Sequence, residues 1–394
     1  MEMKHVFEVE VSKKTIRYLL IIIPFIPNVL GDVYHNIYLI NMIWKICSFL
    51  IISMNYSREV LLRRKASKLF YVGLLDMIML LISTIINDGS ITKYFGYFIS
   101  CIGLLMLFEF ASNKSEEKKL ITALLYYLRI SLIIDAILLI VYPKGMFGTT
   151  GNNRLTFLGL DNISVPVVIC FLVLSIMFNY SKRKKMDVVA IFDVCLVIFI
   201  LLFLFSGTGL LAFAVFITFA FVLKNMKPKK KVMIGLLMCS LIFVYFYFIQ
   251  DSLVISNLVQ LIFGKDITLS GRTVIWYEYL SNIKKFFWLG MGIQETNQAF
   301  FYIPTMWDYR LAHNEALQHL ADGGIVYLTL FIIMILMSSI KKKGNKYTKK
   351  NQITSAGVVA FLCMFITESY LQNNIFFIVL YLLYFNYELA IGDQ

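Results

Sequence analysis

Residues 188–223 read VVAIFDVCLVIFILLFLFSGTGLLAFAVFITFAFVL, two apolar runs joined by a Ser-Gly-Thr-Gly turn with Asp193 as the one charged side chain. Each run approaches the length that crosses a ~30 Å hydrocarbon layer as a helix rising about 1.5 Å per residue. Basic clusters flank the pair, Lys182 to Lys185 before it and Lys224 to Lys231 after it. Two helices crossing a bilayer and returning to the same basic side is the reading that fits.

The pattern repeats along the chain. Apolar runs fall near 16–31, 37–54, 69–87, 96–112, 120–142, 163–180, 188–205, 208–223, 232–249, 316–340, 353–371 and 375–390. The expected fold is therefore all-α, a single polytopic membrane domain over 1–394 with about twelve transmembrane helices. A chain that is 59% hydrophobic, with a mean hydropathy of +0.75 and 15% charged residues, has too little polar surface for a soluble domain. The formal charge of +13 does not indicate nucleic acid, because most Lys and Arg sit in short loops on one side. Those loops include Arg58 to Lys68, Lys114 to Lys119 and Lys341 to Lys350, and they put both termini in the cytoplasm of a plasma-membrane protein. The first residues hold three acidic side chains and no small-residue cleavage site follows, so the first run is expected to be a retained span. The six cysteines lie in apolar runs without a CxxC pair, which indicates packing rather than a disulfide or zinc framework.

Twelve spans leave two substantial outer loops, 143–162 and 250–315. Long connections in compact membrane domains carry function, so the chemistry is sought there. In the longer loop an amphipathic helix is expected to open near Ser270 and Gly271, with Arg272 in its first turn. Ile275, Tyr279 and Ile283 follow at helical spacing, and the helix would lie along the membrane surface and end at Gly290 and Gly292. Arg272 is either a headgroup anchor or a guanidinium fork for phosphate oxygens. Further on, RLAHNEALQHLADGGIVYLTLF, residues 310–331, would be an entry helix that turns into the next span at Asp322-Gly323-Gly324. His313 and His319 are six apart, not the i, i+4 pair of HExxH, so no metal site is indicated. A lone interfacial histidine is usually structural. What raises His313 is the company of Asn314, the Asp322-Gly323-Gly324 break and Arg272 in the same loop, since histidine can take up a proton near neutral pH. The shorter loop offers Arg154, Asp161 and Asn162, and Glu368 stands near an outer helix end where it could face the same cavity. Within the spans, Arg129 and Asp135 lie near enough in sequence to assist one another.

Four segments together resemble the O-antigen ligase and Wzy-type polymerase superfamily of bacterial envelope polysaccharide assembly. They are RLTFLGLDNISV, SGTGLLAF, SGRTVIWYEYLSNIKKFFWLGMGI and AHNEALQHLADGGIVYLTLF, in the family's order and within roughly residues 143–340. The resemblance implies metal-independent glycosyl transfer at the outer leaflet, from a lipid-diphosphate sugar chain to a sugar hydroxyl, with no cofactor. The donor would be an undecaprenyl-diphosphate-linked oligosaccharide, and a flippase and a chain-length regulator are the implied partners. The histidine that aligns with His313 is taken as the base, and arginines hold the diphosphate. Two positions depart from the family pattern. The turn reads Ser206-Gly207-Thr208 where the family commonly has an arginine after the serine, and Tyr327 replaces a glycine. The resemblance therefore leaves one diphosphate contact to Arg154 or Arg310, with Arg272, Asn314 and Glu368 as the other substrate-binding candidates. Abundant Lys and Ile are in keeping with a low-GC genome without lipopolysaccharide, which favours a polymerase over a ligase. A lipid-linked sugar flippase would be expected to show inverted repeats and a charged central path, and neither is evident.

Overall fold

Small hydroxyl side chains start the helices, and apolar runs carry them. Ser12, Ser67, Ser90 and Ser206 each sit in extended backbone and accept a hydrogen bond from an amide of the following first turn. Thr348 and Asn351 form a reciprocal capping box. The computed structural model describes residues 12–27, 34–63, 65–146, 149–150, 153–183, 188–204, 206–249, 272–294, 311–340, 347–370 and 374–385. Before the loop at 143–162 the helices are α1 (Lys13–Ile22), α2 (His35–Tyr56), α3 (Lys68–Ile86), α4 (Ile91–Asn113) and α5 (Glu117–Val141). After it come α6 (Asp161–Arg183), α7 (Val188–Phe203), α8 (Gly207–Ile217) and α9 (Pro228–Ile249). The remainder is α10 (Arg272–Ser281), α11 (Glu315–Ser338), α12 (Lys349–Met364) and α13 (Ile375–Phe385).

The protein is an all-α membrane protein in its main architecture. Among the described residues, five helices are long and apolar enough to cross a membrane: His35–Leu61, Lys68–Ile86, Ile91–Asn113, Glu117–Val141 and Glu315–Ser338. Ile163–Asn179, Val188–Phe203, Gly207–Val222 and Ile375–Phe385 are shorter apolar helices. The count of about twelve spans is not confirmed by this set. One reason is visible at residues 16–31, where regular helix stops at Ile22 and a single 3₁₀ turn containing Pro24 follows. Proline has no amide to donate and cannot continue the ladder. A helix that is apolar all round must be buried or face lipid. Here α6, α12 and α13 do the first, with nearly every described side chain buried. α2 does the second, with Ile43 62% and Met54 67% exposed. Around this centre α11 packs along α3, and α12 along α6, α8 and α9.

The loop at 143–162 departs from the all-helical expectation. Residues Thr149–Thr150, Asn153–Thr156 and Gly159–Leu160 form β1, β2 and β3 of a small antiparallel sheet. Asp135 on α5 accepts from the amides of Phe157 at 2.9 Å and Leu158 at 3.3 Å, which ties the sheet's second turn to the bundle. The expected help between Arg129 and Asp135 is accordingly not what forms. Arg129 instead holds Asp193 of α7 through two hydrogen bonds of 2.9 and 2.7 Å, and Ser175 of α6 donates to the same carboxylate. Six residues separate Arg129 from Asp135, which puts them on different faces of α5.

Removing one partner from a buried ion pair leaves the other charge uncompensated. Asp193 is fully buried. Arg129→Leu is therefore expected to destabilise the protein by about 3–5 kcal/mol, and the double variant Arg129→Leu/Asp193→Leu to regain most of it. The midpoints of thermal unfolding in detergent check both. Lys231 is a second buried cation, and the basic cluster at 224–231 is not wholly a solvated loop. Its Nζ donates to the carbonyls of Phe219 at 2.6 Å and Gln352 at 3.3 Å, the former freed by a wide turn at Thr218–Val222.

Candidate active site

The helix that brings Arg272 to the site is amphipathic, as its spacing predicts, but its apolar face packs on protein. Ile275, Trp276 and Tyr279 are buried in a cluster with Leu317, Leu320 and Ile366, while Tyr277 faces outward. The helix also ends earlier than expected, at Ser281, before a 3₁₀ turn at Ile283–Lys285.

His313 does not lie in the entry helix. Asn314 is the N-cap of α11, and His313 precedes it with φ = +46°, one of three non-glycine residues with positive φ among those described. That conformation costs a side-chain-bearing residue energy and persists where the surroundings fix it. They do so from both sides. The Ala312 amide donates to Gln318 Oε1 at 2.9 Å, and the Ala312 carbonyl accepts from Trp276 Nε1 at 3.0 Å. Asn314 Oδ1 caps the Leu317 amide at 3.0 Å, and its Nδ2 donates to the Ile366 carbonyl at 3.1 Å. Trp276 and Gln318 stand in the two motif blocks, and this geometry gives each a positioning task.

The loop after α12 supplies the carboxylate. Glu368 Oε2 lies 3.0 Å from His313 Nδ1, and its other oxygen pairs with the Arg272 guanidinium. All three groups are largely withdrawn from solvent, with side chains 9% (Glu368), 16% (Arg272) and 26% (His313) exposed. An ionised carboxylate only accepts, so a neutral imidazole facing one carries its proton on Nδ1 and has its basic nitrogen at Nε2. Glu315 braces the same loop: its amide donates to the Phe365 carbonyl at 2.9 Å, and its carboxylate accepts from the Tyr370 amide. The Ser206-Gly207-Thr208 turn reaches it too, with Thr208 Oγ1 3.3 Å from Thr367 Oγ1 at the N-terminus of α8. Of the candidate residues, Arg272, His313, Asn314 and Glu368 are thus brought together. Arg154 lies on β2, paired with Thr149, and Arg310 lies outside the described residues.

Below the site, α11 is interrupted at Gly324, where φ is +74° and ψ −172°. The two carbonyls and one amide released by the break are taken up by the segment after α10. Met291 N donates to Ala321 O at 2.7 Å, Gly292 N to Asp322 O at 2.9 Å, and Ile325 N to Phe287 O at 2.7 Å. A Cβ on Gly290 would lie 2.4 Å from Asp322 O, and one on Gly324 2.1 Å from Trp288 O. The paired glycine motifs therefore exist to let two backbones touch. α3 locks the arrangement: Ser83 Oγ donates to Asp322 O at 2.7 Å and accepts from Gly292 N at 2.9 Å, and Thr84 Oγ1 accepts from Ile293 N at 3.2 Å. His319 takes no part in the Glu368 cluster. It is buried, its Nδ1 lies 2.9 Å from the Glu315 carbonyl, and its ring stacks on Phe331 and Tyr327. Tyr327, in place of a family glycine, is what fills that space.

The family model described as O-antigen ligase matches residues 192–332. The match takes in the Ser206 turn, Arg272, His313 and the broken helix, and the resemblance to the O-antigen ligase and polymerase superfamily stands on it. Arg154 and Glu368 fall outside that segment. No curated protein and no solved structure matches the chain.

Proposed function

We propose that the chain is a glycosyltransferase of the outer leaflet that joins lipid-diphosphate-linked oligosaccharides, with His313 as the base. The observation that carries this reading is the Arg272–Glu368–His313 cluster, in which one carboxylate holds both an arginine and the Nδ1 edge of a histidine. His313 Nε2 accepts the proton of a sugar hydroxyl as that oxygen bonds to the donor's anomeric carbon. The bond from that carbon to the diphosphate oxygen breaks, and the diphosphate leaves with the electron pair. Arg272 stabilises the developing negative charge, and being protonated at any relevant pH it can do so throughout. Glu368 holds the imidazole's tautomer and the positive charge it gains. A diphosphate is a good leaving group, so this route asks for charge stabilisation and calls for no carboxylate pair and no metal. Arg154 or Arg310 would supply the second cation to the diphosphate, and Asn314 keeps the backbone seat of His313.

Within this chemistry we favour a repeat-unit polymerase of a capsular or other exopolysaccharide, acting on undecaprenyl-diphosphate-linked units. The chain would sit in the bacterial plasma membrane with cytoplasmic termini, beside a flippase and a chain-length regulator. The ligase reading shares every residue above, and the family match fits both. Product length separates the two. Purified protein given only lipid-linked single repeats should build chains of many repeats on one lipid. Transfer solely to a different acceptor would make it a ligase, and lipid translocation without bond formation would make it a flippase.

Arg272→Lys keeps the charge but loses the planar fork. It is expected to lower kcat for chain growth by about 10-fold or more while leaving the folded yield unchanged. Lipid-linked product per minute at saturating donor checks this.

A further inference from the structure

At the end of α4 that carries Lys114, a cleft of about 280 Å³ lies between α1, α2 and α4. Ile21, Ile51 and Phe110 are among its apolar lining residues, and Lys14, Arg17 and Lys114 line it together with the carboxylates Glu59 and Glu116. Two of these cations are already paired. Lys14 holds Glu116, whose carboxylate also accepts from Tyr18 Oη at 2.8 Å, and Lys114 holds Glu59 at 2.9 Å. Arg17 is exposed and enters no ion pair among the described residues. Three lining cations stand against the two lining carboxylates Glu59 and Glu116, and Arg63 shares Glu59 at 3.2 Å, so the mouth carries a net positive charge.

Both helices beside the cleft turn apolar side chains outward. Ile16 and Leu20 on α1, and Leu50 and Met54 on α2, are all exposed. A ligand suited to this place has a negative charge at the cationic mouth and long apolar chains that can lie along those flanks. We propose that the cleft is a binding site for the headgroup of an anionic phospholipid, with its phosphodiester on Arg17 and its acyl chains against α1 and α2. A guanidinium fork matches two phosphate oxygens, and Arg17 is the lining cation that holds no carboxylate among the described residues. The cleft stands at the helix ends, where headgroups lie: Lys114 caps the end of α4 and Glu116 the start of α5. The lipid then ties α1 and α2 to the α4–α5 turn, next to the Lys14–Glu116 bridge that already joins α1 to α5.

The test uses the full chain in neutral detergent, with bound lipid counted by native mass spectrometry and unfolding followed by heating. Phosphatidylglycerol is the probe, and phosphatidylcholine with the same chains and free glycerol 3-phosphate are the comparisons. The expected result is retention and a raised unfolding midpoint with phosphatidylglycerol alone. Arg17→Ala should weaken that binding about fivefold or more, while Lys118→Ala, a basic-face residue outside the cleft, leaves it unchanged. Equal binding of phosphatidylcholine would overturn the proposal. So would equal losses in the two variants, which would show only diffuse attraction to the basic face, or stabilisation by glycerol 3-phosphate alone, which would show an anion site without a lipid.

Discussion

His313→Ala is expected to lower glycosyl transfer by about 10²–10⁴-fold, the usual contribution of a positioned general base. In cells the polymer ladder should collapse to single repeats while the protein remains in the membrane at its normal level. The loss should appear in kcat more than in KM, because Nε2 acts on the hydroxyl as the bond forms. Folding should be little affected, since His313 is partly exposed and precedes the helix whose cap is Asn314. If the left-handed conformation at this position strains the chain, as its φ of +46° implies, His313→Gly would even relieve that strain while abolishing activity equally. Comparing the two variants separates a chemical role from a backbone one. Persistent long polymer with either variant well expressed contradicts the assignment.

The second large effect is expected at Gly324, through structure rather than chemistry. Alanine there would place its Cβ 2.1 Å from the Trp288 carbonyl oxygen, at a φ of +74° that side chains avoid. Trp288 cannot retreat easily, because the Phe287 carbonyl on one side holds Ile325 N and Gly292 on the other is held by Ser83. Gly324→Ala should therefore open the break in α11 and destabilise the protein by about 3–5 kcal/mol, seen as a loss of monodisperse material on size exclusion. Gly96→Ala is the internal comparison. Nothing lies within 4 Å of a Cβ at that helical glycine, so the same change should be neutral or stabilising by up to about 1 kcal/mol.

These two residues mark how far the sequence could be read. The membrane class followed from apolar runs and basic loops, and the residues that gather at the site were visible as His313, Asn314, Arg272 and Glu368. The His313 backbone was not, because the reading of residues 310–331 as an entry helix placed the histidine inside it. Only the Asn314 cap, with α11 starting at Glu315, frees the histidine to turn toward Glu368. Glu368 itself was legible as a polar group near a helix end, but not as the bridge between arginine and histidine. That relation joins positions 96 and 55 residues apart. Ser83 and Thr84 were least legible. A Ser-Thr pair late in an apolar run commonly bonds its own helix, and Thr84 does donate to Leu80 O, yet both also bind the Gly290–Ile293 segment. The break in α11 was signalled by Gly323-Gly324. What fills it, backbone amides from more than thirty positions earlier, could come only from the fold.

Chain extension by the purified protein, with lipid-linked repeats as sole substrate and EDTA present, tests the central claim most directly. The Arg272–Glu368–His313 account predicts extension by the native protein in EDTA, none detectable with His313→Ala, and an intermediate rate with Glu368→Gln, whose amide cannot stabilise the imidazolium. A His313→Ala protein that extends chains at the native rate, or a native protein that needs an added divalent cation, would contradict it.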